Sequence, residues 1–146
     1  MTITVGAAVV EHAGQVTVIS DPSVITHEGF SAGTITQLTP ADKVNLADMV
    51  LIVTMAVAPD SRGAFHVYRR GMNIDGANHA PVPDADFKGT HIGSFALDLV
   101  NTTQYLELDG VPIIKDQEFY LENDSGQSTS GTTVLKVNPR TYNAKA

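Results

Sequence analysis

The chain has no cysteine and no tryptophan. Without thiols it can form no disulfide, no thiolate metal site and no cysteine nucleophile. The compartment stays open, because reducing and oxidising surroundings both accept a Cys-free chain. Aromatic residues make up only 6%, so a stacking platform for bases or sugars is poorly supplied. Positive charge is scarce as well. Nine Lys and Arg stand against sixteen Asp and Glu, a net charge of −7, and the first basic residue is Lys43. A nucleic-acid binder needs a basic footprint to displace counterions, and an acidic field repels anionic membrane surfaces. Neither nucleic acid nor membrane is therefore an expected partner. No apolar run approaches the roughly 18–20 residues that span a bilayer. The opening MTITVGAAVVEHAG lacks a positive n-region, so a secretory signal is not expected. The sequons Asn101-Thr102-Thr103 and Asn123-Asp124-Ser125 are accordingly read as chance matches.

Helix signals are nearly missing too. Only Thr39–Val50 offers one, with Thr39 as a cap, Pro40 at the first helical position and Asp42 in the first turn. What is present is 146 residues with an ordinary 42% hydrophobic share, enough for one domain with a real core. Apolar residues fall in short runs between turn residues. Gln15–Ser20 alternates, and Gly33–Leu38 does so more weakly. Asp48–Ala58 is the longest run; Met49, Leu51, Val53, Met55 and Val57 share one face, and Val50, Ile52, Thr54 and Ala56 the other. Two apolar faces predict a central strand covered on both sides. Ala64–Arg70, Thr90–Val100, Gln104–Leu108, Glu118–Glu122 and Thr132–Val137 follow, with a turn expected at Asp109-Gly110. About eight short strands without helical crossovers predict an all-β fold, an antiparallel β-sandwich or jelly roll.

Gly71–Lys88 is the long segment without strand character, rich in Gly, Pro, Asn and Asp. Segments this long are functional or packed on themselves. Asp75, Asp84 and Asp86 suit either oxygen coordination of Ca²⁺ or the capping of turns. Their spacing is not that of an EF-hand, and turn capping is the plainer use. The histidines His12, His27, His66, His79 and His91 show no zinc-enzyme spacing. His66 falls mid-strand, where packing or simple exposure explains it; His79 and His91 flank the long segment and are able to meet in space. Asp98, Glu107, Asp109 and Glu118 offer carboxylate pairs, as any acidic β-protein does. Nucleophile elbow, P-loop and dinucleotide fingerprints are absent. Tyr68, Tyr105, Tyr120 and Tyr142 are the available sugar-stacking rings, although packing more often explains tyrosines. Arg69-Arg70 is the one basic cluster, read as a solvated strand edge or as a contact to an acidic neighbouring copy. Catalytic residues, cofactor and small-molecule substrate are not expected.

Four stretches, in order, carry a family resemblance: ADMVLIVTMAVAP with FHVYRRGMNIDGAN; APVPDADFKGTHIGSFALD; QYLELDGVPI with EFYLENDSGQ; and LKVNPRTYN. From about Asp48 onward the chain resembles small virion structural proteins of tailed bacteriophages, of the capsid decoration or cement kind. The resemblance implies a non-enzymatic component on the outer capsid surface, made in the host bacterial cytoplasm. Its implied partners are the major capsid protein and other copies of itself, as a dimer or trimer. A tail, neck or baseplate protein and a carbohydrate-binding adsorption module are the alternatives. Residues 1–45 fall outside the resemblance and are read as an N-terminal arm or added strands, not independent of the β-sandwich of residues 46–146. An arm of this kind adds a strand to a neighbour or fills its groove. The expected contact residues are Thr2, Ile3, Thr4 and Val5 in the arm, and Asn73, Asp75, Asn78 and Phe87 in the long segment.

Overall fold

The computed structural model describes residues 8–12, 14–41 and 44–144. Nine strands appear among them: β1 (Ala8–His12), β2 (Val16–Asp21), β3 (Thr34–Ile35), β4 (Leu46–Val53), β5 (Ala64–Gly71), β6 (Thr90–Ala96), β7 (Gln104–Pro112), β8 (Gln117–Asp124) and β9 (Thr133–Ala144). All pairings are antiparallel. A six-stranded sheet runs β3-β2-β9-β4-β7, with β1 also on β9; a three-stranded sheet runs β6-β5-β8. The fold is the expected all-β antiparallel sandwich. This strand order does not establish the jelly-roll connectivity.

The core lies between the sheets and follows from strand alternation. Ala47, Met49, Leu51 and Val53 of β4, with Leu135 and Val137 of β9, face Phe65 and Val67 of β5 and Phe119 and Leu121 of β8; all are fully buried. Each such large side chain contributes about 1.5–3 kcal/mol relative to exposure. Val18, Ile19, Ile25 and Leu38, from the stretch before residue 45, sit in this same core. Along one seam the sheets close through Gly93 of β6. A Cβ there would fall 2.3 Å from Leu108 Cδ2 of β7.

Three expectations are corrected. No helix forms over the described part of Thr39–Val50: β4 already starts at Leu46. Its β-branched and apolar alternation finds cross-strand partners on both sides, and these override the capping signal. The second face of β4 is not covered, for only Ala47, Met49, Leu51 and Val53 meet the other sheet, while Val50 and Ile52 stay half-buried. Asp109-Gly110 is not a turn. It is a bulge inside β7, where the β4 register shifts between Ala47 and Met49. Gly110 takes a positive φ of 67° there, and its N–H donates to Asp48 Oδ1.

Strand directions also sort the loops. Leu46 pairs with both Pro112 and Arg140, and Gly71 pairs with Gln117, so these residues mark one end of the sandwich. The Gly71–Thr90 connection lies at this end. So does the start of β1, since Ala8 pairs with Ala144, four residues past Arg140.

Candidate functional site

The long connection between β5 and β6 is built from two small knots. In the first, the Asp75 carboxylate accepts from the N–H of Ala77 (3.0 Å), the N–H of Asn78 (2.7 Å) and Asn78 Nδ2 (2.7 Å). These bonds favour the charged form, and they hold the Asp75 pKa down at about 2. Ile74 N–H donates to Asn78 O, Gly76 N–H to Asn73 O, and Asn73 N–H to His79 Nδ1 at 3.1 Å. Asn73 pays for the tight path with a φ of 52°, a region that Asn tolerates better than most residues. In the second knot, Asp84 Oδ1 accepts from the N–H groups of Asp86 and Phe87, and Asp84 N–H donates to Phe87 O. Asp75 and Asp84 therefore cap turns, as their side chains do in Pro/Gly-rich segments. No group of three His, Asp or Glu able to hold a metal occurs among the described residues.

The knots are fastened to the sandwich. Met72 N–H donates to Asp116 O, Ala80 N–H to Gly71 O, and Arg70 Nη1 to Ala80 O. Ile74 folds back over Gly71, where a Cβ would fall 2.6 Å from Ile74 Cγ2 and 3.7 Å from Ile114 Cδ1. At the far end, Lys88 Nζ lies 2.7 Å from Glu122 Oε2. The braced loop still presents apolar side chains to solvent: Ile74 is 64% exposed, Phe87 50% and Val82 48%. Of the eight expected contact residues, the structure brings Asn73, Asp75 and Asn78 together in one knot and places Phe87 in the other. Thr2, Ile3, Thr4 and Val5 lie outside the described residues. A groove of about 340 Å³ lined by Pro40, Ala41, Val44, Asn45, Ile113, Ile114 and Lys115 opens at this same end.

The outer face of the three-stranded sheet supports the loop with a polar network that the sequence did not reveal. His66 Nε2 lies 2.9 Å from Asp124 Oδ2, and His66 Nδ1 lies 2.7 Å from Ser94 Oγ; His91 Nε2 reaches the same Oγ at 3.0 Å. With its proton on Nε2, His66 donates to Asp124 and accepts from the Ser94 hydroxyl, leaving Ser94 Oγ to accept from His91. Tyr68 O–H donates to Glu122, and Tyr120 O–H to Glu118. Burial, reinforced by the adjoining carboxylates, raises the pKa of both phenols. The hydrogen bond to Glu122 raises that of Lys88. Arg70 Nη2 closes on Glu118 at 2.6 Å. A shallow pocket of about 410 Å³ lies beside the network, lined by Glu28, Ala85, Lys88, Glu122 and Asp124.

His91 therefore meets His66, at 5.6 Å between ring centroids, and not His79. Arg70 is not at a strand edge: β5 is the middle strand, and Arg70 is spent on Glu118 within the chain. Arg69 points to the opposite side of β5, where burial lowers its pKa. Tyr68 and Tyr120 are buried and offer no stacking face, whereas Tyr105 is 72% exposed. The network was hidden because a bulge shifts the β5–β6 register between Val67 and Tyr68. It places His91 and Ser94, three residues apart, on one face. Gly93, an isolated glycine within a strand pattern, was the available signal. Asn123, in one of the two sequons, is buried, and its Nδ2 donates to Ile25 O and Gln127 O. No protein-family model matches the chain, and no curated protein matches it.

Proposed function

We propose that this chain is a bacteriophage virion structural protein that binds the outer capsid surface and stabilises the shell, without catalysis. The observation that carries the reading is the braced loop with its uncovered apolar side chains, Ile74, Val82 and Phe87. A loop already tied by Asp75, Asp84 and Lys88 loses little conformational freedom on docking, so its apolar tips are preorganised for a partner surface. The ordered resemblance to virion proteins supplies the kind of partner, the major capsid protein. Weak contacts repeated over many symmetric copies add up through multivalency. The acidic balance of the chain favours its solubility before docking.

Capsids stripped of the protein test this. Purified chain is expected to rebind them in stoichiometric amounts, and Ile74→Asp with Phe87→Asp to reduce uptake about tenfold or more while leaving the circular dichroism unchanged. Failure of the unaltered chain to rebind overturns the proposal. A copy number of a dozen or fewer per particle, in place of hundreds, moves it to the tail or neck.

A further inference from the structure

Among the described residues no layer covers the outer face of the six-stranded sheet, and its side chains form a pattern. Opposed residues of antiparallel strands share a face. One row across β9, β4 and β7 therefore reads Lys136, Val50, Glu107, and the next reads Val134, Ile52, Tyr105. Val50, Ile52 and Val134 are half-buried within the chain, while Tyr105 and Glu107 stand out in solvent. Neither Lys136 nor Glu107 has an ion-pair partner among the described residues. They sit two strands apart, roughly 10 Å, too far to pair with each other.

We infer that this face binds a second copy of the chain, back to back, about a two-fold axis running along β4. Such an axis keeps each row in place and reverses its order. Lys136 of one copy then lies over Glu107 of the other, twice per dimer, Val50 and Ile52 meet their own mates, and Tyr105 covers Val134. The self-complementarity follows from the order of the rows alone, as an isologous interface requires. A two-fold axis across the strands leaves the two charges unmatched. With the axis about 15° from each β4, midway between the two, the sheets cross at about −30°, the ordinary aligned packing. The axis overlays β9, β4 and β7 of the two copies; three strands at about 4.8 Å and eight residues at about 3.4 Å make a face of roughly 390 Å² per copy, the size of a weak, reversible interface. On a chain with sixteen acidic and nine basic residues, a charge-balanced strip is also where two copies approach with least repulsion.

The inference rests on the shell reading only in that further copies were among its partners, and the two fail separately. Sedimentation equilibrium of the full chain over the micromolar range is expected to show a monomer–dimer equilibrium. Lys136→Glu alone, or Glu107→Lys alone, weakens the dimer about tenfold or more, since each change places two like-charge pairs in the interface. The double variant restores it. Tyr105→Ala weakens it without touching the charges. A chain that stays monomeric throughout overturns the inference, and so does a dimer indifferent to the single reversals or a double variant no tighter than either single one. A monomeric chain that still rebinds stripped capsids sinks the dimer face and spares the shell reading; a dimer that ignores capsids does the reverse.

Discussion

The two outer faces of the sandwich handle charge in opposite ways. On the three-stranded sheet nearly every polar group is committed inside the chain: Glu118 to Arg70 and Tyr120, Glu122 to Lys88 and Tyr68, and Asp124 to His66. On the six-stranded sheet Asp48 is committed to Arg140, but Lys136 and Glu107 are left over, with an apolar strand between them. A satisfied face specifies the fold. A face with spare charges and half-covered apolar side chains has something left to offer a partner.

Stability should break along this line. Arg70 and Glu118 are only 17% and 14% exposed, so Arg70→Met strands a largely buried carboxylate. A cost of about 2–3 kcal/mol in urea unfolding is expected, below the 3–5 kcal/mol of fully buried pairs. Lys136→Ala on the opposite face should move monomer stability by less than about 0.5 kcal/mol. Equal effects from the two would erase the distinction.

The next effect is alkaline. Tyr68 and Tyr120 both have pKa values raised above the ordinary 10.0. A phenol held neutral in the folded chain stabilises it fully below the unfolded value. That contribution is lost as pH rises through the folded value. Unfolding free energy is therefore expected to fall from about pH 10 upward, and the Tyr68→Phe, Tyr120→Phe double variant to flatten that limb. An unchanged limb would show that the phenols carry no such linkage.

The smallest effect is acid and local. Asp75 is lowered from 3.8 to about 2, so its three bonds are intact above pH 3.8 and are lost as pH falls toward 2. Hydrogen exchange at Ala77 and Asn78 should quicken over that window while β4 amides stay protected. Asp75→Asn should show the quickened exchange already at neutral pH.

Much of the architecture was legible because alternation reports burial directly. Met49, Leu51 and Val53 were placed on one face by their spacing, and the sandwich puts them there. Two of the misreadings sit at bulges. A bulge inserts one residue and flips the alternation without changing composition, so Asp109-Gly110 looked like a turn and the His91–Ser94 pairing was invisible. The loop was legible in kind, since Asp-rich turns cap themselves. The lysine that fastens it was not, because Lys88 and Glu122 lie 34 positions apart and only the register of β8 brings that carboxylate under the loop.

The position of β9 carries a further consequence, for synthesis. It lies between β2 and β4, and β1 also pairs with it. A nascent chain stopped just before Thr133 has β2–β3 and β4–β7 with no strand to pair them into one sheet, and Leu135 and Val137 are missing from the core. The three-stranded sheet needs only β5, β6 and β8, whereas the larger sheet cannot assemble before β9 is made. The larger sheet waits for its middle strand, and the long loop closures this requires slow folding, so a chain cut short before β9 is expected to stay open to proteases over β2 and β4.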